Sequence, residues 1–162
     1  MRLTIFKSSM LAFVFIMALV VGGACYQAVS IVPFWQKDIS MFTNYSHWGA
    51  NYFPVLTPLM TILWLIVLIS GWAVHMPHKG ILNIAHAFFL LIIITTAVYF
   101  VPFLATYMGR PNATITNTAL AQKLAVWAKW DLVRQIIGLI PLFLFIYSYG
   151  NIGFARINNK GS

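Results

Sequence analysis

Four stretches of this chain contain no Asp, Glu, Lys or Arg: residues 8–36, 39–78, 80–109 and 135–155. Each is long enough to hold the roughly 20 apolar residues that cross a bilayer as a helix. Lipid offers no partner to a backbone N–H or C=O, so a spanning segment must satisfy those groups within itself. The expected fold is therefore all-α: an integral membrane four-helix bundle with a short amphipathic helix before the fourth span. The spans are expected at about 10–32, 53–74, 81–107 and 132–154, in a single membrane domain covering residues 1–162.

Composition leads to the same class. Hydrophobic residues make up 61% of the chain and charged residues 7%, with a mean hydropathy of +0.86. Soluble domains carry about 25% charged residues, so this chain lacks the surface of one. Four spans and their connections leave no length for a separate soluble catalytic domain. The net charge of +8 comes from ten basic residues against Asp38 and Asp131. The bases are dispersed at span ends (Arg2, Lys7, Lys37, Lys79, Arg110, Lys123, Lys129, Arg156 and Lys160), which suits lipid headgroups and topology. A nucleic-acid partner would want them on one face, so none is expected. The small excess of bases on one side places both termini in the cytoplasm.

The punctuation sets finer expectations. Pro33 ends the first span, with Trp35 as an interface anchor, and Pro102 kinks or ends the third. Thr116, Asn117 and Thr118 offer N-caps for an interfacial helix that runs on into the fourth span. Leu120, Leu124, Trp127 and Asp131 recur along it at helical spacing. No internal repeat is evident. Cys25 is the only cysteine, so intrachain disulfide chemistry is excluded. The absence of glutamate disfavours a proton-coupled exporter built on a membrane-embedded Glu.

Asp131 and Arg134 are the sharpest candidates for chemistry. Three residues apart, they share one helix face with Trp127, Gln135 and Gly138. Charges at membrane depth face the bundle and pair with one another. They form either a structural ion pair or a site in which Arg134 holds an anionic or carbonyl group of a ligand. Span topology brings Gln27, Ser30, His47, Asn51 and Tyr99 toward the same end. Gln27 and Ser30 with Gly23 suit helix packing or a pocket wall. His47 is a candidate general base, since imidazole titrates near neutral pH. At the opposite end His75, His78 and His86 are the metal-ligand candidates. Their spacing matches no metal motif, so no cofactor is expected, with haem or a metal ion as the alternative.

Three places resemble a group of small four-span membrane proteins that includes the fungal anthrone oxygenases. Gly22-Gly23-Ala24-Cys25-Tyr26 through Val32-Pro33 looks like the family's Gly-rich first helix ending in Pro. Val101-Pro102 through Pro111-Asn112 resembles its Pro/Asn stretch after the third helix. Trp127 to Arg134 is similar to its W-x-x-x-N-x-x-R signature, with Asp131 where Asn is more usual. The resemblance implies a cofactor-independent oxygenase acting on a polycyclic phenolic substrate. His47 or Asp131 would be the base, Arg134 and Asn51 would stabilise the enolate, and Trp127, Trp130 and Tyr99 would form a flat slot. The partners expected are the lipid bilayer, a hydrophobic aromatic small molecule, and a membrane-protein partner or second copy. The competing class is a non-catalytic accessory or assembly subunit of a larger membrane complex.

Overall fold

A computed structural model describes residues 2–44, 53–72, 74, 79–109 and 116–158, apart from the side chains of 2, 53, 54 and 153–158. Helices run as α1 Arg2–Tyr26, α2 Val32–Lys37, α3 Ile39–Thr43, α4 Phe53–Trp72, α5 Lys79–Thr95, α6 Val101–Tyr107 and α7 Asn117–Asn158. Two five-residue π turns, Gln27–Ile31 and Thr96–Phe100, join α1 to α2 and α5 to α6 without a break. Four helical stretches are long and apolar enough to cross a membrane: Leu3–Lys37, Val55–Trp72, Lys79–Tyr107 and Asn117–Ile152. The chain is a multi-pass membrane protein built as an all-α bundle.

The spans differ from the expected boundaries at both ends of the chain. The first begins well before Met10 and passes through Pro33 to Lys37. The fourth helical stretch starts at Asn117, because the interfacial helix runs on into the span, as expected, within one unbroken rod, α7. At about 1.5 Å per residue its 42 residues extend about 63 Å. By the same measure the 20 residues of α4 extend about 30 Å, just the hydrocarbon thickness. Helices α7, α1–α2 and α5–α6 are all longer than the described α4, and the end of the bundle that holds Pro33, Pro102 and the start of α7 is called distal here. The other is the proximal end.

Proline explains the two π turns. A proline has no N–H to give and its ring crowds the carbonyl four residues back. In each turn the residue before the proline reaches back five positions instead: the Val32 N–H donates to the Gln27 carbonyl and the Val101 N–H to that of Thr96. The extra residue lets the helix pass Pro33 and Pro102 rather than end there, and it rotates the side chains on either side relative to each other. Both turns are written in the same letters. Ala28-Val29-Ser30-Ile31-Val32-Pro33-Phe34 and Ala97-Val98-Tyr99-Phe100-Val101-Pro102-Phe103 share the pattern A-V-x-x-V-P-F. The chain does carry an internal repeat, too short to stand out until the shared π turns align it.

Packing follows that duplication. Helix α1 lies against α4 and α5 lies against α7, giving two hairpins, and α1 also packs on α7. The proximal core centres on Phe13, which meets Phe89 and Phe145 edge-on at centroid distances of 5.2 and 4.8 Å. Met10, Met17, Val67 and Leu82 fill the space around it. A second core stands at the distal end, made of Val32, Trp35, Phe42, Phe100, Leu120, Leu124 and Trp127. Among the described side chains it contains none from α4. Trp35 is therefore no interface anchor: it is 2% exposed, with its ring 5.3 Å from Phe42. Asp38 caps α3, its Oδ1 accepting from the backbone N–H and hydroxyl of Ser40, and those bonds lower its pKa. Gly109 ends the α6 side at φ 67°, a left-handed turn natural to glycine, and its N–H donates to the Phe42 carbonyl.

Candidate functional site

A single polar layer separates the two aromatic cores. Its centre is Asp131, buried on the inward face of α7. Arg134 Nη2 lies 2.6 Å from Asp131 Oδ1, and Gln135 Nε2 donates to the same oxygen at 3.1 Å. Spacings of three and four residues put both donors one helical turn beyond the carboxylate, so α7 supplies these contacts from its own face. The remaining support comes from the second π turn. Thr96 Oγ1 accepts from Arg134 Nη1 at 2.8 Å, and the guanidinium carbon sits 4.2 Å from the centroid of the Phe100 ring. Arg134 Nε is buried and has no hydrogen-bond partner among the described residues. Guanidinium carries five N–H donors, and this one is left open.

Two cavities meet at Arg134. One is a groove of about 440 Å³ on the lipid-facing side between α5 with its π turn and α7; Tyr99, Phe100, Trp130, Val133, Arg134 and Ile137 contribute to its wall. The other is a chamber of about 240 Å³ inside the bundle, bordered by α1, α4, α5 and α7, with Thr57, Thr61, Thr96, Arg134 and Gln135 among its lining. Only Ile92 and Arg134 line both. The groove falls within the 300–1,000 Å³ range of small-molecule sites, and like them it is mostly apolar with a few convergent polar groups.

The sequence candidates divide as follows. Asp131 and Arg134 are paired as their spacing implies, and Tyr99 and Trp130 stand on the groove with Arg134. Trp127 is not beside them. Its ring stacks on Phe103 at 5.6 Å with 17° between planes, inside the distal core, and its Nε1 is buried without a partner among the described residues. Gln27 opens the first π turn, half-buried, and lines neither cavity. His47, Asn51, His75 and His78 lie outside the described residues. His86 is buried, and its Nδ1 accepts from Trp64 Nε1 at 2.9 Å, so the imidazole is a packed core group. Among the described residues no three His, Cys, Asp or Glu side chains gather as metal ligands.

Thr96, Phe100 and Trp64 were not singled out from the sequence. Thr96 had one available signal: it begins the segment that must open a turn ahead of Pro102. Its neighbour Thr95 returns its hydroxyl to the Leu91 and Ile92 carbonyls, the ordinary use of a threonine within a helix. No family model matches the chain, and neither a curated protein nor a solved structure matches it.

Proposed function

We propose that this protein binds a hydrophobic, flat molecule in the lipid-facing groove and holds one acceptor group of that molecule on Arg134. The observation that supports this most is the open Nε–H of Arg134, a buried donor on a side chain that lines an otherwise apolar groove of about 440 Å³. A buried N–H without a partner costs roughly 1–3 kcal/mol. An acceptor brought by a ligand would recover that cost. The exposed rings of Tyr99 and Trp130 offer faces for a flat body, and the groove opens toward lipid, where a hydrophobic molecule concentrates.

The oxygenase chemistry implied by the family resemblance needs a base beside the bound ligand. Asp131 is held by Arg134 and Gln135 and lines neither cavity, which leaves His47 as the candidate for that role. Binding is therefore the reading that the groove supports, and catalysis is an extension of it.

The test uses the full chain in phosphatidylcholine nanodiscs, with 1-acetylpyrene as probe and energy transfer from tryptophan as the readout. Val133→Phe puts a larger ring into the groove from an exposed position without adding a tryptophan donor. Saturable binding seen with the wild-type protein should weaken at least tenfold in the variant. Undiminished binding in Val133→Phe would overturn the groove assignment.

A further inference from the structure

The electrostatics of the polar layer bear on the kind of head group that the groove would accept. Among the described residues Arg134 is the only cation lining either cavity, and its charge is already matched by Asp131 at 2.6 Å. A carboxylate or phosphate arriving there would sit near Asp131 with no second cation to receive it. Placing one unmatched charge at membrane depth costs several kcal/mol. An uncharged acceptor meets no such penalty, because it takes hydrogen bonds while the ion pair stays neutral.

Two donors remain for it. Among the described residues Arg134 Nε has no partner, and the Thr96 hydroxyl accepts from Arg134 Nη1 and so keeps its own proton to give. Thr96 faces the inner chamber, and Arg134 forms the wall between chamber and groove. We infer that the ligand is an uncharged amphiphile whose carbonyl-type oxygen is held by Arg134 and Thr96 at the chamber wall while its flat apolar body lies in the groove. This rests on the groove reading above and adds the charge of the ligand to it. Asp131 is then a positioning residue: it does not touch the ligand, but it cancels the charge that would otherwise recruit anions.

A matched pair of probes separates these possibilities: 1-acetylpyrene and 1-pyrenecarboxylate share a ring system and differ in charge. Binding of each is measured by tryptophan-to-pyrene energy transfer in phosphatidylcholine nanodiscs, after subtraction of partition into empty nanodiscs. The wild-type protein should bind the neutral ketone roughly tenfold more tightly, about 1.4 kcal/mol. Asp131→Asn keeps the shape and an acceptor oxygen but removes the negative charge, and should swing the preference toward the carboxylate by a similar factor. If that variant does not fold, the wild-type comparison decides alone. Equal or stronger binding of the carboxylate by the wild-type protein overturns the neutral-head inference and leaves the groove intact. Absence of saturable transfer from both probes overturns the groove reading itself, and this inference with it.

Discussion

The proximal and distal cores use the same materials and differ in how they treat one buried indole, Trp64 in the first and Trp127 in the second. The proximal core places Phe13, Phe89, Phe145, Trp64 and His86 in mutual ring contact, and the indole N–H of Trp64 ends on His86 Nδ1. The distal core packs Phe100, Phe103 and Trp127 as closely, yet the indole N–H of Trp127 has no partner among the described residues. Their construction accounts for the contrast. Four long helices enclose the proximal core, so a group on α4 can meet one on α5. The described distal core is assembled from the short pieces around Pro33 and Pro102, from α3 and from the start of α7. Among the described residues the indole of the proximal core is closed by a partner across the bundle, and that of Trp127 is not, although the proximal region holds an unpartnered polar atom of its own in Ser148 Oγ.

Substitutions can break or sharpen this contrast. Phe13→Ala should have the largest effect, about 3–5 kcal/mol in a reversible SDS-titration unfolding measurement, because it empties the centre of a close-packed aromatic cluster. A loss under 1 kcal/mol would mean that the proximal core relaxes around the hole and is no more rigid than the distal one. Thr96→Val should come next, at about 1.5–3 kcal/mol, since it strands an Arg134 N–H that now ends on a hydroxyl. It should also weaken 1-acetylpyrene binding, a readout that damage to the proximal core alone would not produce.

The third and fourth variants are one substitution made twice. Trp64→Phe removes the N–H that satisfies buried His86 and should cost about 1–3 kcal/mol. Trp127→Phe removes a similar volume but an N–H with no recorded partner, and should cost less than about 1 kcal/mol. Equal losses at the two positions would show that ring volume, not polar closure, distinguishes the regions.

Much of the membrane architecture could be read from where charge is absent, because a charge in lipid is costly enough to leave long gaps in the sequence. The pairing of Asp131 with Arg134 was equally legible, since residues three apart on a helix face the same way whatever surrounds them. The end of the first span was not. Proline normally stops a helix, so Pro33 read as a boundary and Pro102 as a kink or an end, whereas a π turn before each carries the chain through. That change of register also hid Thr96 and Phe100, which meet Arg134 only because the turn rotates them toward α7. Trp127 shares a helical face with Arg134, yet it falls in the distal core rather than on the groove. Helical periodicity gives a direction around the axis, and says nothing of which neighbour stands at that height.

Helix α7 is about twice as long as the hydrocarbon core of a bilayer is thick, and such a rod has no preferred height from length alone. Apolar residues continue on both sides of Asp131, from Leu120 to Ile152. The Asp131–Arg134 pair fixes the rod by tethering it to Thr96 on a neighbouring span. It acts as a depth gauge: sliding α7 by one turn would carry both charges away from the threonine that receives them. The level at which groove and chamber meet is thus marked by one hydroxyl group in a π turn, beside the ring packing that α7 makes in both cores.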